Sequence, residues 1–325
     1  MLKFVVRRLI YSLPVLLIAS IVVFWVVHST VSPSAALNFN PRASIADKLR
    51  YSKALGLDRS GFAQYISWLS HFLRFDWGFS LSSQLPVGPQ IRSALANTLE
   101  LGVVAIVFSL LIGIGIGVYS AVRQYSILDH IFTGGAFFGI SIPTFWFGLI
   151  VQLVFGLYLV RWFHWKEPLF FTAGMFRPGT HGFHIVDRLR HVALPALVLS
   201  VQLIAVYSRY MRASMLEVMG SDHLRTARAK GLSERRVVVK HGVRNALIPI
   251  TTQVAIDIGT LAGGLIVTEA IFQWPGMGTL FLAAMDNGDY AIVLPWVVLI
   301  VTSVILFNLI ADILYAVLDP RIRYA

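Results

Sequence analysis

An all-α, polytopic membrane protein is predicted by three features of this 325-residue chain. Its mean hydropathy is +0.73, only 13% of its residues are charged, and apolar runs long enough to cross a bilayer recur along it. Lipid supplies no hydrogen-bond partners, so a crossing segment must satisfy its own backbone, and a helix does so within one segment. At about 20 mainly apolar residues per crossing, we read six transmembrane helices, at 9–28, 99–121, 131–159, 192–211, 247–270 and 291–317.

The first run has two readings. Lys3, Arg7 and Arg8 before it and Ser34, Ala35 and Ala36 after it fit a cleavable signal peptide. Its apolar stretch, 9–27, exceeds the roughly 7–15 residues of such a signal, so residues 1–30 are taken as a retained anchor helix. Lys and Arg beside the spans set orientation. With both termini cytoplasmic, fifteen of the 27 basic residues fall in short inner segments, nine of them from Arg209 to Arg244, and the other twelve spread over longer outer loops. That density difference and the even number of spans agree. The net charge of +11 therefore sits beside membrane segments and gives no nucleic-acid signature. The absence of cysteine excludes disulfides and thiolate chemistry.

The chain divides into the anchor, an extracytoplasmic segment at 31–96, a five-helix core at 97–318 that includes an inner loop at 212–246, and a cytoplasmic tail at 319–325. Within the outer segment Phe62, Tyr65, Ile66, Leu69, Phe72 and Leu73 recur at helical spacing. Two readings stand for this amphipathic helix: it lies on the membrane face, or it caps the bundle. Pro143 is expected to kink the third span, as a gate hinge or as a packing device. Glycines four apart, Gly113/Gly117, Gly135/Gly139 and Gly259/Gly263, suit close helix crossings.

The inner loop carries RTARAKGLSERR at 225–236. Ser221 or Asp222 suits a helix start, Gly231 the left-handed position that ends it, and Ser233 the next start. Thr226, Ala227 and Ala229 keep the first helix slim, while Arg225, Arg228 and Lys230 offer charge to an acidic rim. This is a docking surface; the alternative, a basic segment held to anionic lipid, needs neither the small residues nor the placed glycine.

The loop resembles that of the membrane subunits of ATP-binding-cassette importers, where EAA, three residues and Gly precede a later hydrophobic residue and Pro. Arg225-Thr226-Ala227, Gly231 and Ile248-Pro249 take those places, and TARAKGLSERR is similar to the loop of the peptide and nickel branch. RSALANTLEL at 92–101, DRLRHVALPALVLS at 187–200, EAIFQWPGMGTL at 269–280 and NLIADILYAVLDPRIRY at 308–324 extend the resemblance over essentially the whole chain, toward the first of two permeases of an oligopeptide or dipeptide importer. It implies a type I importer permease fold in a bacterial cytoplasmic membrane. It also implies an ATPase-docking helix over Asp222, Arg225, Thr226, Ala227, Arg228, Ala229 and Lys230, followed by Gly231 and Leu232. The partners implied are a second related permease, two ATPase subunits that bind ATP and Mg, an extracytoplasmic substrate-binding protein, a peptide substrate and membrane lipid.

The sequence has no GxxxxGK[ST], HExxH or GxSxG motif, so no nucleotide cradle or hydrolase site of those kinds is encoded. Glu100, Asp257, Glu269 and Asp312 lie in or at the ends of spans. Asp257 is ten residues into the fifth, roughly 15 Å deep, where a charge costs at least about 2.5 kcal/mol and calls for a cavity or a partner. It is read as lining the translocation path, as bonded inside the complex, or as a proton carrier in a secondary transporter. His164, His181, His184 and His191 cluster in or beside one outer loop, but with little carboxylate support metal binding is the lesser reading. The WPGMG stretch, Trp274, Pro275, Gly276, Met277 and Gly278, is expected as an outer gate or docking loop, or as a packed turn. The cargo, peptide or another such as nickel, is left open.

Overall fold

The computed structural model describes residues 2–30, 59–177, 179 and 184–318. The flank at Ser34, Ala35 and Ala36, His181, and the tail with Arg321 and Arg323 lie outside the described residues. The chain forms two compact units, each from several stretches: 1–98, 262–266 and 275–306 in one, 99–261, 267–274 and 307–325 in the other.

The described residues are mostly helical and contain no β-strand, only an isolated bridge between Phe79 and Pro86. In order they form α1 (Leu2–Thr30), α2 (Gly61–Leu73), α3 (Val87–Val122), α4 (Ile127–Ser141), α5 (Thr144–Leu153), α6 (Leu159–Trp162) and α7 (Ile185–Met219). The hairpin α8 (Asp222–Ala229), α9 (Glu234–Arg236) and α10 (Arg244–Ala246) follows, then α11 (Ile248–Leu261), α12 (Ile266–Ile271), α13 (Met277–Asp286) and α14 (Tyr290–Leu318). Five helical stretches among the described residues are long and apolar enough to cross a membrane: Ile10–Ser29, Val87–Val122, Thr144–Trp162, Ile185–Met219 and Tyr290–Leu314.

Two expected spans are interrupted. At 142–143 the third leaves the helix altogether, with ψ 125° at Ile142 and 126° at Pro143. The proline ring disfavours helical geometry in the residue before it, so α4 stops there and α5 starts afresh. The run read as 247–270 ends at Leu261, and Gly264 at φ +78° turns the chain before α12. Conversely, α3 and α7, of 36 and 35 residues, begin well before the expected spans.

In the first unit α1 packs through Phe24 and Val27, α2 through Tyr65, and the start of α3 through Val87 and Ile91, in one core with Met277, Ile292 and Trp296. Gly278 is required there, since a Cβ would come within 2.5 Å of Ile266 Cα.

In the second unit α7 is the axis. A Cβ on Gly117 of α3 would lie 2.7 Å from the Ser208 carbonyl oxygen and 2.5 Å from Met211 Cβ; one on Gly113 would lie 3.0 Å from Tyr207 Cβ. Gly139 of α4 faces Val201 in the same way, whereas Gly135 meets open space, so only one member of that pair serves a crossing. Gly117→Val should therefore overpack the α3–α7 crossing at a cost of about 1–3 kcal/mol, while Gly115→Val, with no atom within 4 Å of its Cβ, should be tolerated. Thermal unfolding in detergent checks this, and equal midpoints for the two variants would contradict the crossing.

Candidate functional site: the basic hairpin and its anchorage

The hairpin begins where α7 ends at Met219. Ser221 takes the N-cap position of α8, but its hydroxyl turns back to the Val218 carbonyl instead of capping, and the amides of Leu224 and Arg225 bond the Ser221 carbonyl at 3.2 Å. Asp222 in the first turn suits the positive end of the helix and reaches Arg225 at 3.5 Å in an exposed pair of little energetic weight.

The C-terminal end is locked more firmly. The Gly231 amide donates to Arg228 O at 2.9 Å and the Leu232 amide to Ala227 O at 3.4 Å, with Gly231 at φ +75° and Leu232 packed with Ala227. That is a Schellman closure, in which glycine is favoured because a side chain strains the left-handed backbone. Arg228 then grips Glu234 with two bonds, 3.1 and 2.9 Å, and its guanidinium holds the exposed Glu234 carboxyl below the usual range.

The two faces of α8 differ. Leu224 and Ala227 are buried against Val237, Val218 and Met219, so Ala227, expected on the docking face, belongs with Leu232 to the hairpin's own core. Asp222, Arg225, Thr226, Ala229, Lys230 and Gly231 are exposed. The return arm of the hairpin contains a π-helical stretch, Val237–Val243, whose Gly242 lies close to Met215 and Leu224; Asn245 meets His223 at 2.9 Å. The hairpin is thus seated on the end of α7 by packing at both of its arms.

About two turns before that end, Arg212 of α7 makes two 3.0 Å bonds to Asp129 at the start of α4. Asp129 is 3% exposed and also accepts from the Tyr125 amide at 3.0 Å and Thr133 Oγ1 at 3.3 Å, while its own amide bonds the capping Ser126 hydroxyl. With Gln202 bonding Ile142 O at 3.3 Å at the far end of α4, that helix is tied to α7 at both ends. Sequence reasoning missed this pair. Its local signal was the Ser126-x-x-Asp129 cap, and the partner lay 83 residues away.

The other expected positions fall elsewhere. Asp257 accepts from Tyr207 at 2.7 Å and Gln253 at 2.9 Å within this chain. Pro143 marks the break described above. Trp274 is fully buried under the Arg188 guanidinium, which forks onto Glu100 with two 2.6 Å bonds. Met277 is buried too, its amide on Thr98 and its carbonyl on Trp296; Asn97 bonds Pro275 O, and Gly276 starts α13. Trp274, Gly276, Met277 and Gly278 are buried and Pro275 is exposed. His191 is buried against Phe171, with ring centroids 4.4 Å apart, and no group of three metal-ligating side chains occurs among the described residues.

Among the described residues the chain is a multi-helix protein with membrane-spanning helices, a structured basic hairpin and no β-strand, and comparison with known proteins gives its class. Residues 113–324 match the family described as binding-protein-dependent transport system inner membrane component, and residues 1–83 match its N-terminal counterpart. The chain belongs to this family of multi-pass inner-membrane components. It is 40% identical over 325 residues to the oligopeptide transport system permease protein AppB of Bacillus subtilis (strain 168), covering 100% of each chain. To the dipeptide transport system permease protein DppB of Escherichia coli (strain K12) it is 36% identical over 344 residues, covering 100% of this chain and 99% of that one. To the glutathione transport system permease protein GsiC of Salmonella typhi it is 36% identical, covering 100% of both. Among solved structures, an inward-facing MetNI methionine ABC transporter shares the fold, with a TM-score of 0.52 and 19% identity over 70% of this chain and 96% of that one.

Asp129 is buried and Arg212 half-buried, so removing the arginine strands a buried carboxylate, at a cost below the about 3–5 kcal/mol of a fully buried pair. Arg212→Met, which leaves Asp129 buried and unpaired, should lower the unfolding midpoint in detergent more than the double change Asp129→Asn/Arg212→Met. Additive losses in that double-mutant cycle would show that the two side chains do not act as a pair.

Proposed function

We propose that this chain is the membrane-spanning subunit of an ATP-driven peptide importer and forms half of the translocation pathway beside a second, related permease. The carrying observation is the hairpin: its exposed face is held by the Gly231 closure and seated directly on α7. We take 212–246 as the coupling loop and α8 as the helix that docks on an ATPase subunit, with Arg225, Thr226, Ala229 and Lys230 on the contact face. Two such ATPase subunits bind ATP and Mg and hydrolyse the nucleotide, and this chain carries no reaction of its own. An extracytoplasmic binding protein delivers cargo. In this reading the chain crosses six times with both termini cytoplasmic, the third and fifth crossings being the interrupted ones.

A peptide cargo is favoured over nickel because the relatives are named for oligopeptide, dipeptide and glutathione transport. A proton-driven transporter working through Asp257 has no such support, since the family is one of binding-protein-dependent systems. We place Asp257 and the Pro143 break along the path as the polar and the bending element of its lining.

The test is Gly231→Val in the reconstituted complex. A β-branched residue at φ +75° strains the closure by about 1–3 kcal/mol and should shift the docking face without removing the protein from the membrane. Peptide import per ATP hydrolysed should fall roughly tenfold, the change that ~1.4 kcal/mol of misplacement produces. An unchanged ratio of import to hydrolysis would sink the coupling role of the hairpin.

A further inference from the structure

Helix α2 presents two apolar faces, and among the described residues only one of them is packed against other helices. Tyr65, 4% exposed, meets Ser20 of α1 at 2.8 Å and stacks edge-on with Phe24, while Gly61 abuts the Trp25 ring. On the adjoining side, roughly 100° around the helix at 3.6 residues per turn, Phe62, Ile66 and Leu73 are 69%, 48% and 67% exposed, and beyond the helix Phe75 and Phe79 are exposed as well.

Nothing on this second face seeks a polar partner. Residues 61–73 include no Asp, Glu, Lys or Arg. Ser70 and the His71 ring both turn onto Ser67 O at 2.7 Å, and Trp77 bonds Phe72 O at 3.2 Å. A protein interface normally carries a polar rim and hydrogen bonds across it, which this face does not provide. Inward-turned polar groups and outward apolar ones are what lipid requires.

Position points the same way. The α1 residues that hold α2, Ser20 to Trp25, lie roughly 6–14 Å inside Ser29 at 1.5 Å per residue, within one leaflet of a hydrocarbon layer of about 30 Å. On α1, a helix long and apolar enough to cross a membrane, Leu17, Ile18 and Val22 are exposed as well. The exposed side chains of α2 thus belong to a helix packed on one that itself presents apolar side chains outward.

We infer that α2 is immersed, on its Phe62–Ile66–Leu73 side, in the acyl chains of the leaflet reached by the C-terminal half of α1, widening that single span into a two-helix membrane wedge. With the N-terminus inside, this is the outer leaflet. The inference does not depend on the cargo or on the energy source.

The natural absence of cysteine allows single labels. Phe62→Cys and Leu73→Cys, each carrying an environment-sensitive fluorophore, are placed in the full chain in phosphatidylcholine vesicles, with Leu17→Cys of α1 as the lipid-facing reference. Acyl-chain spin-labelled phosphatidylcholine should quench both as strongly as the reference, and aqueous iodide should leave both nearly unchanged. Iodide quenching at either position would place the face in water. Protection from both quenchers, in the chain or after its partner subunits are added, would place it against protein. Either result overturns the inference. Both sites are exposed, so loss of fold at one leaves the other as an independent reading.

Discussion

Close backbone approach to α7 is the constraint on which the second unit depends. In lipid there is little hydrophobic drive between helices, so association rests on packing and on polar contacts. Gly113 and Gly117 let α3 come against Tyr207, Ser208 and Met211, and Gly139 does the same for α4 at Val201. Because α7 continues without a break to the hairpin, the element that organises the bundle is also the one that carries α8. In the proposed coupling role, a displacement of the hairpin would reach the axis of the unit and, through the ties at Asp129 and Ile142, α4 and the break beside Pro143.

The second regularity is how charge is placed in so apolar a chain. Asp129 is forked by Arg212, Glu100 by Arg188, and Asp257 is held by Tyr207 and Gln253. In the first unit the fully buried Asp289 takes bonds from Ser80 and Ser82, fixing the loop before α3 to the corner before α14. Each acid is met by groups from a different part of the chain or from the next helical turn. Such contacts fix register as well as neutralising charge, which a non-directional apolar core does poorly. The hairpin reverses the rule: its basic residues point outward, and its only firm ion pair, Arg228 with Glu234, closes its own turn.

The hairpin was the part most legible in the sequence, because its determinants are local. A left-handed glycine, small residues and helix starts all act within a dozen positions. Its inner and outer faces were less so: Ala227 reads as slim docking surface until Val237 is seen folding back over it. The break at Pro143 was visible as a bend but not in its extent, since proline reports its own local geometry and not whether neighbours re-form the helix. The interruption near Gly264 was hidden, because the run 247–270 is mainly apolar on both sides of it and hydropathy does not record φ. The Asp129–Arg212 and Glu100–Arg188 pairs join residues 83 and 88 positions apart, beyond any periodicity.

The central claim is that this chain is driven by nucleotide hydrolysed on other subunits. The most direct measurement is ATPase activity in lipid, first for the chain alone, then co-purified with its ATPase and permease partners, with and without a binding protein and peptide. The account predicts silence from the lone chain and hydrolysis by the complex that rises when peptide-loaded binding protein is added. Peptide movement by the lone chain down a proton gradient would contradict it and transfer the mechanism to Asp257.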